Sequence, residues 1–252
     1  MLWYKAWLDT RWRFAIGLVV LLMYACALVL GYPQALKALS DFPRTDGEIG
    51  RQIAESAALV RDYRSFIWTQ WFRQNMRELW ALFAVVLGTG GLLAQASRGG
   101  VFLTLSLPVS RGRLLGVRAA TALAELLLLA LLPSLVIPLL SGAIGQTYSL
   151  VDAMVYGTCM FIAGSVLFSF AFLLSTVFSD VWRPPLIALC VVVLLRLVEQ
   201  AIGLGSVSTL AFMTAESYFH GGGLPWLGLL ACAAASALML HGAVLNIARH
   251  DF

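Results

Sequence analysis

Charge is scarce in this chain. Only 12% of its 252 residues are Asp, Glu, Lys or Arg, about half the share found in an ordinary soluble domain, so that class is excluded. The marks of the common chemistries are missing too. No GxxxxGK[ST] phosphate loop occurs, and the chain therefore lacks the usual backbone cradle for an ATP site of its own. There is no HExxH, no Ser–His–Asp order and no CxxC pair, and the three histidines, His220, His241 and His250, are scattered. These absences disfavour an intramembrane enzyme, a metal site and a disulfide framework. The four cysteines, Cys26, Cys159, Cys190 and Cys232, each fall inside an apolar segment, where a thiol behaves as a small hydrophobe.

What the chain has in abundance is hydrocarbon. Hydrophobic residues make up 60% of it and the mean hydropathy is +0.86, which predicts an all-α polytopic membrane protein. The net charge of +4 is then read by position, as a report of orientation rather than of an acidic partner. Nothing supports nucleic-acid binding.

In order, residues 1–13 mix Lys5, Arg11 and Arg13 with Trp3, Tyr4, Trp7 and Trp12, the pattern of a helix lying in the headgroup layer. Residues 14–30 form the first span. Ala25-Cys26-Ala27 mimics a signal cleavage site, but the apolar run is longer than the usual signal core. Between Gly31 and Glu78 seven basic residues face six acidic ones, a near-balance suited to the outer side. Pro33, Pro43 and Gly47 break its first part, after which Ile49, Ile53, Ala57, Val60, Ile67 and Trp71 recur at helical spacing. The spacing predicts an external amphipathic helix over 48–77, with Trp68, Trp71, Phe72 and Trp80 at the outer interface as the chain enters a second span, 79–95.

A third span, 119–144, contains Pro133 and Pro138, which kink membrane helices more often than they end them. Glu125 lies near its cytoplasmic end and is expected to stay solvated. Ser149 and Asp152 have the spacing of a capping box before a fourth span, 153–178, in which Gly157, Ala163, Gly164, Ser165 and Ser169 permit close helix contact. Pro184-Pro185 opens the fifth span, 184–204. Arg196 and Glu199 share a face of it at i, i+3 and form an intramembrane charged pair, either structural or active in gating or dimer contact. Residues 205–223 are too few to span and hold Phe212, Met213, Tyr218 and Phe219 between glycines, as a re-entrant segment would. The sixth span is 225–248.

One stretch stands apart. Gln95 to Arg118, QASRGGVFLTLSLPVSRGRLLGVR, carries Arg98, Arg111, Arg113 and Arg118 and no acid, which places 96–118 on the cytoplasmic face. Gly99 and Gly100 allow a sharp turn, Leu103, Leu105 and Leu107 supply apolar grip, and Pro108 ends one short element so that another can begin. The run from Gly99-Gly100 through Leu105-Ser106-Leu107-Pro108-Val109-Ser110-Arg111 to Leu114-Leu115 resembles the loop between the second and third membrane helices of ABC-2-type permeases, the membrane subunits of ATP-binding-cassette exporters. Two positions depart from the family pattern: Gln95 stands near the usual acid, and Gly100 replaces the usual Thr. The ending Arg249-His250-Asp251-Phe252 is also similar to the family's C-termini.

The resemblance implies six spans and a coupling helix that docks on an ATPase through Arg98, Gly99, Gly100, Leu103, Leu105, Leu107, Pro108, Arg111 and Arg113. It also implies an external gate at Phe212, Met213, Tyr218 and Phe219. The partners implied are two ATPase subunits, which bind the ATP and magnesium, and a second permease copy or homologue, in the inner (plasma) membrane with both termini cytoplasmic. This chain itself would hold no cofactor and would move a hydrophobic or amphipathic cargo. The competing classes are a stand-alone six-helix secondary carrier or channel, for which the spans offer few ion-coordinating groups and no inverted repeat, and a membrane scaffold without transport.

On this topology the cytoplasmic segments hold nine basic residues, Lys5, Arg11, Arg13, Arg98, Arg111, Arg113, Arg118, Arg183 and Arg249, against Asp9, Asp180 and Asp251. Single cysteines placed by Asp46→Cys and Gly112→Cys, in a background lacking the native four, should label from outside and inside respectively. Labelling of the first only after permeabilisation would invert the topology.

Overall fold

The computed structural model describes residues 2–40, 59–89, 110–178, 180, 182–202 and 208–248. Among these residues every regular element is helical. Helix α1 is Leu2–Ser40. A continuous helical path then runs through α2 (Tyr63–Ile67), a π-helix (Trp68–Met76) and α3 (Arg77–Gly88). It is followed by α4 (Arg111–Ser141), α5 (Leu150–Val177), α6 (Arg183–Ile202), the short α7 (Thr209–Met213) and α8 (Glu216–Phe219), and α9 (Trp226–Ala248).

Among the described residues five helices are long and apolar enough to cross a membrane: Leu2–Leu39, Gly112–Ile144, Leu150–Val177, Arg183–Ala201 and Trp226–Ile247. Large apolar side chains point outward along them, among them Val19 and Met23 on α1, Val193, Leu194 and Leu197 on α6, and Leu227 and Leu238 on α9. That much exposed hydrocarbon marks a surface made for lipid. The protein is membrane-embedded and its frame is helical, since only a segment that satisfies its own backbone can lie in hydrocarbon. The polar side chains inside α4 are satisfied within the helix: the Ser134 and Ser141 hydroxyls donate to carbonyls one turn back, Ala130 O and Ile137 O, at 2.7 Å each.

Several expectations are corrected. The break expected between residues 13 and 14 is absent: no Gly or Pro interrupts the junction, so the aromatic and basic start and the apolar run form one helix, which also continues through Pro33. The external amphipathic helix and the second span are not separate elements over their described residues, because the path from Tyr63 to Gly88 is unbroken. Their remaining parts, 48–58 and 90–95, lie outside the described residues, and α3 alone is not among the five long apolar helices. Glu125 is not solvated. It is 3% exposed, covered by the first turns of α1.

Helix α5 occupies the centre and packs on α9, α4, α3, α7 and α6. The small residues anticipated on it admit its neighbours. Gly157 lies against Leu131 and Ala130 of α4, and Gly164 receives the Trp80 indole of α3, which a Cβ there would overlap. Gly88 answers from α3, where a Cβ would come within 2.9 Å of Phe168 O. Polar bonds reinforce the contacts: Ser169 and Ser236 share a hydrogen bond of 2.5 Å, and Asn246 Nδ2 donates to Thr176 O at 2.9 Å. Trp80 Nε1 donates to Leu126 O at 3.1 Å, so its ring is held from both sides.

Gly164→Ala should therefore cost about 1–3 kcal/mol, the usual penalty for overpacking a filled site. Trp80→Phe in the same chain should relieve part of that cost, making the two changes non-additive in thermal unfolding in detergent. Strict additivity would show that the indole does not occupy the glycine notch.

Candidate functional site

The chain passes back and forth between two ends. At one, here the cap end, α2 begins beside Tyr32 of α1 and the short α7 and α8 pack near the starts of α5 and α9; from there the path through the π-helix and α3 runs antiparallel along α1, Trp71 on Tyr24 and Thr89 on Arg13, to the far end. The cap is built from polar residues that had to find partners once their elements were packed. Asp62 caps α2 by accepting from Ser65 N–H at 3.0 Å, Ser149 caps α5 by accepting from Asp152 N–H at 3.2 Å, and Ser208 caps α7 by accepting from Ala211 N–H at 3.0 Å. The Ser149–Asp152 relation matches the capping expected from their spacing.

The nine-residue π-helix is unusual, since such turns are rare and concentrate at functional sites. Its wider turn buries Trp68, Trp71, Phe72 and Met76 on one side and presents Thr69, Arg73 and Gln74 on the other. Those three border a cavity of about 490 Å³, completed by Arg77 of α3, Arg196, Glu199 and Gln200 of α6, and Glu216 of α8. Ion pairs cross it: Arg73 Nη2 to Glu216 Oε1 at 3.7 Å and Arg77 Nη1 to Glu199 Oε2 at 3.8 Å. A third, Arg196 with Glu78, borders it. Ser208 donates to the second oxygen of Glu199 at 2.6 Å, tying α7 into the same network.

The expected pairing of Arg196 with Glu199 is thus corrected. Each reaches across to α3 instead, Arg196 to Glu78 and Glu199 to Arg77. Spacing of i, i+3 puts two side chains on one face, and here that face meets another helix carrying the complementary sequence Arg77-Glu78. The two pairs differ in worth. Arg77 and Glu199 side chains are 12% and 15% exposed, whereas Arg196 and Glu78 are 43% and 51% exposed, where solvent screening leaves an ion pair well under about 1 kcal/mol.

Near the cavity the expected gate residues each pack on a neighbouring element. Phe219 stacks on Trp68 with centroids 4.0 Å apart, and Trp68 Nε1 donates to Thr214 O at 3.0 Å. Tyr218 donates to Asp152 Oδ1 at 3.0 Å, and Asp152 Oδ2 pairs with Arg64 Nε at 3.0 Å. Phe212 fits against Gly228 on α9, and Met213 is fully buried. The hydrogen bond to Asp152, with burial, pushes the Tyr218 phenol above its ordinary value. Burial pushes Tyr148 up further, and its hydroxyl has no hydrogen-bond partner among the described residues. Arg64, Arg73, Arg77, Glu78 and Glu216 were not singled out from the sequence, and Asp152 was read there only as half of a capping box. The one signal available was the near-balance of opposite charges flanking the spans.

At the far end, Arg13 Nη1 donates to Val86 O and Thr89 O at 3.0 and 2.9 Å, closing the C-terminus of α3 with a cation where the helix dipole favours one. Thr10 donates to Glu125 Oε1 at 2.7 Å. Of the expected ATPase dock, Arg98, Gly99, Gly100, Leu103, Leu105, Leu107 and Pro108 lie outside the described residues, as does the C-terminal tail. Arg111 and Arg113 fall in the first turn of α4. Among the described residues no group of three His, Cys, Asp or Glu converges to hold a metal ion. Comparison with family models, with curated proteins and with solved structures returns no match.

Glu199→Gln leaves Arg77 largely buried without its carboxylate and should destabilise by roughly 3 kcal/mol, the scale for breaking a buried pair. A double-mutant cycle should then couple Arg77 to Glu199 and show no coupling of Arg196 to Glu199. The reverse result would restore the pairing within α6.

Proposed function

We propose that this chain is the permease subunit of an ABC-2-type exporter, moving a hydrophobic or amphipathic substrate with ATP hydrolysed by two partner ATPases. The observation that carries the reading is the broken segment α7–α8 between the last two long helices. It does not cross the bundle; it folds over the cap end and packs on α5 and α9. A re-entrant external segment at this place in the chain is what the resemblance implies. Arg111, Arg113 and Arg118, the described basic residues of the stretch 95–118, lie at the far-end start of α4, where an ATPase dock belongs in such an assembly. In this reading the cap end is external, the six spans include the path through α3, and a second permease completes the pathway in the inner membrane.

A second reading has one observation in its favour. Glu125, buried with only Thr10 bonded to it among the described residues, is the kind of intramembrane carboxyl that an ion-coupled carrier uses. Co-purification decides between the two: the exporter reading requires a nucleotide-hydrolysing subunit to follow the chain, and the carrier reading does not.

Within the exporter reading, Leu105→Asp should place a desolvated charge in the dock and weaken ATPase association by about 3–5 kcal/mol. Pro108→Gly should leave assembly intact while ATP hydrolysis in lipid vesicles stops responding to cargo. Full ATPase binding and full transport by Leu105→Asp would remove 95–118 as the coupling element.

A further inference from the structure

Helices α4 and α9 both pack extensively along α5 but only lightly on each other. The gap between them, toward the far end, is a groove of about 380 Å³. Leu115 and Ala119 of α4 and Phe172 of α5 are its buried floor, while Gly116, Ala120 and His241 stand exposed at its rim. Small side chains on α4 hold it open, and a Cβ added at Gly116 would meet nothing within 4 Å. Both walls belong to segments long and apolar enough to cross a membrane. An open apolar slot in such walls excludes water, which would find too few polar partners there, and leaves its floor without packing contacts unless a hydrocarbon chain enters.

The polar groups around the slot select the head that the chain carries. Arg113 precedes Gly116 by three residues and Ala120 by seven, so it shares their face of α4 and stands about one turn nearer the helix start. Its side chain is exposed, and no ion pair among the described residues engages it. His241 lies deeper: a Cβ at Gly112 would be 3.4 Å from Val244, and in this antiparallel pair one turn inward from that contact brings Gly116 level with the His241 region. A guanidinium at the helix start with an imidazole one turn, about 5 Å, below it matches a phosphate above an ester carbonyl. Among the described residues no carboxylate lines the groove to receive an ammonium group.

We propose that the α4–α9 groove is a binding site for an anionic phospholipid, its acyl chain over Phe172, its phosphate on Arg113 and an ester carbonyl at His241. The site is independent of the cap-end cavity and of the exporter reading. It fixes a lipid between two helices that otherwise touch little, and so supplies part of the packing that the protein itself leaves unfilled.

The test uses phosphatidylglycerol and phosphatidylcholine probes bearing a diazirine midway along one acyl chain, each mixed into phosphatidylcholine vesicles containing the full chain. After photolysis, adducts are mapped by peptide mass spectrometry. With the phosphatidylglycerol probe, adducts on 115–123 and 240–244 should exceed those with the phosphatidylcholine probe about fivefold, the worth of one arginine at a lipid surface. Adducts on α6 around Leu194 should show no such preference. Arg113→Gln should abolish the preference, and Ala120→Trp, which fills the slot from its rim, should clear both strips while α6 is labelled as before. Equal labelling of the groove by the two probes, or groove labelling no denser than that of α6, overturns the proposal. Both readings come from the unaltered chain, so they decide the question even if a variant does not fold.

Discussion

Close contact along α5 is the constraint on which the rest of the bundle depends. In lipid, apolar side chains gain little by leaving one hydrocarbon environment for another, so helices are held by the fit of their surfaces and by the polar bonds between them. Gly157, Gly164 and Ser169 let α4, α3 and α9 come near enough for both. Larger residues at these places would separate the backbones, and the Ser169–Ser236 bond could not reach.

Once the helices are fixed, the charges sort by depth. Those on the cap end pair across elements, and the more buried the pair, the more its loss would matter: Arg77–Glu199 is enclosed, while Arg196–Glu78 and Arg73–Glu216 are open on one side or both. At the far end, Arg13 donates to two backbone carbonyls at the C-terminus of α3. At the cap end α6 is joined to α3 by two ion pairs and to α7 by the Ser208–Glu199 hydrogen bond, while α2 and α8 reach α5 through the Arg64–Asp152 ion pair and the Tyr218–Asp152 hydrogen bond. Salt screens the exposed Arg196–Glu78 pair more than the enclosed Arg77–Glu199 pair, so ionic strength loosens the outer of the two α3–α6 links first.

The long apolar helices were legible because length and hydropathy suffice to define them. Spans expected at 153–178, 184–204 and 225–248 appear as Leu150–Val177, Arg183–Ile202 and Trp226–Ala248. The small-residue face of α5 was legible for the same local reason. Partnership was not. The spacing of Arg196 and Glu199 defines a shared face but says nothing of the helix opposite, and Arg77-Glu78 reads as loop charge until the path from Tyr63 is seen to be continuous. Glu125 was misjudged because its distance from the end of its own helix was taken as its depth, whereas α1 continues past it and covers it. The π-helix left no mark at all, since its aromatic and polar residues also fit an ordinary amphipathic pattern.

The indole of Trp80 in the Gly164 notch works as a peg in a socket. Bonded at its rim to Leu126 O and flanked by the larger neighbours of Gly164, it bars α3 from sliding along α5, because any axial step would lift the ring onto a side chain. Tilting about the same point costs far less. Whatever relative motion these two helices undergo is therefore a pivot, and a small angular change near the far end is transmitted to the cap as a lateral displacement that grows with distance from Trp80.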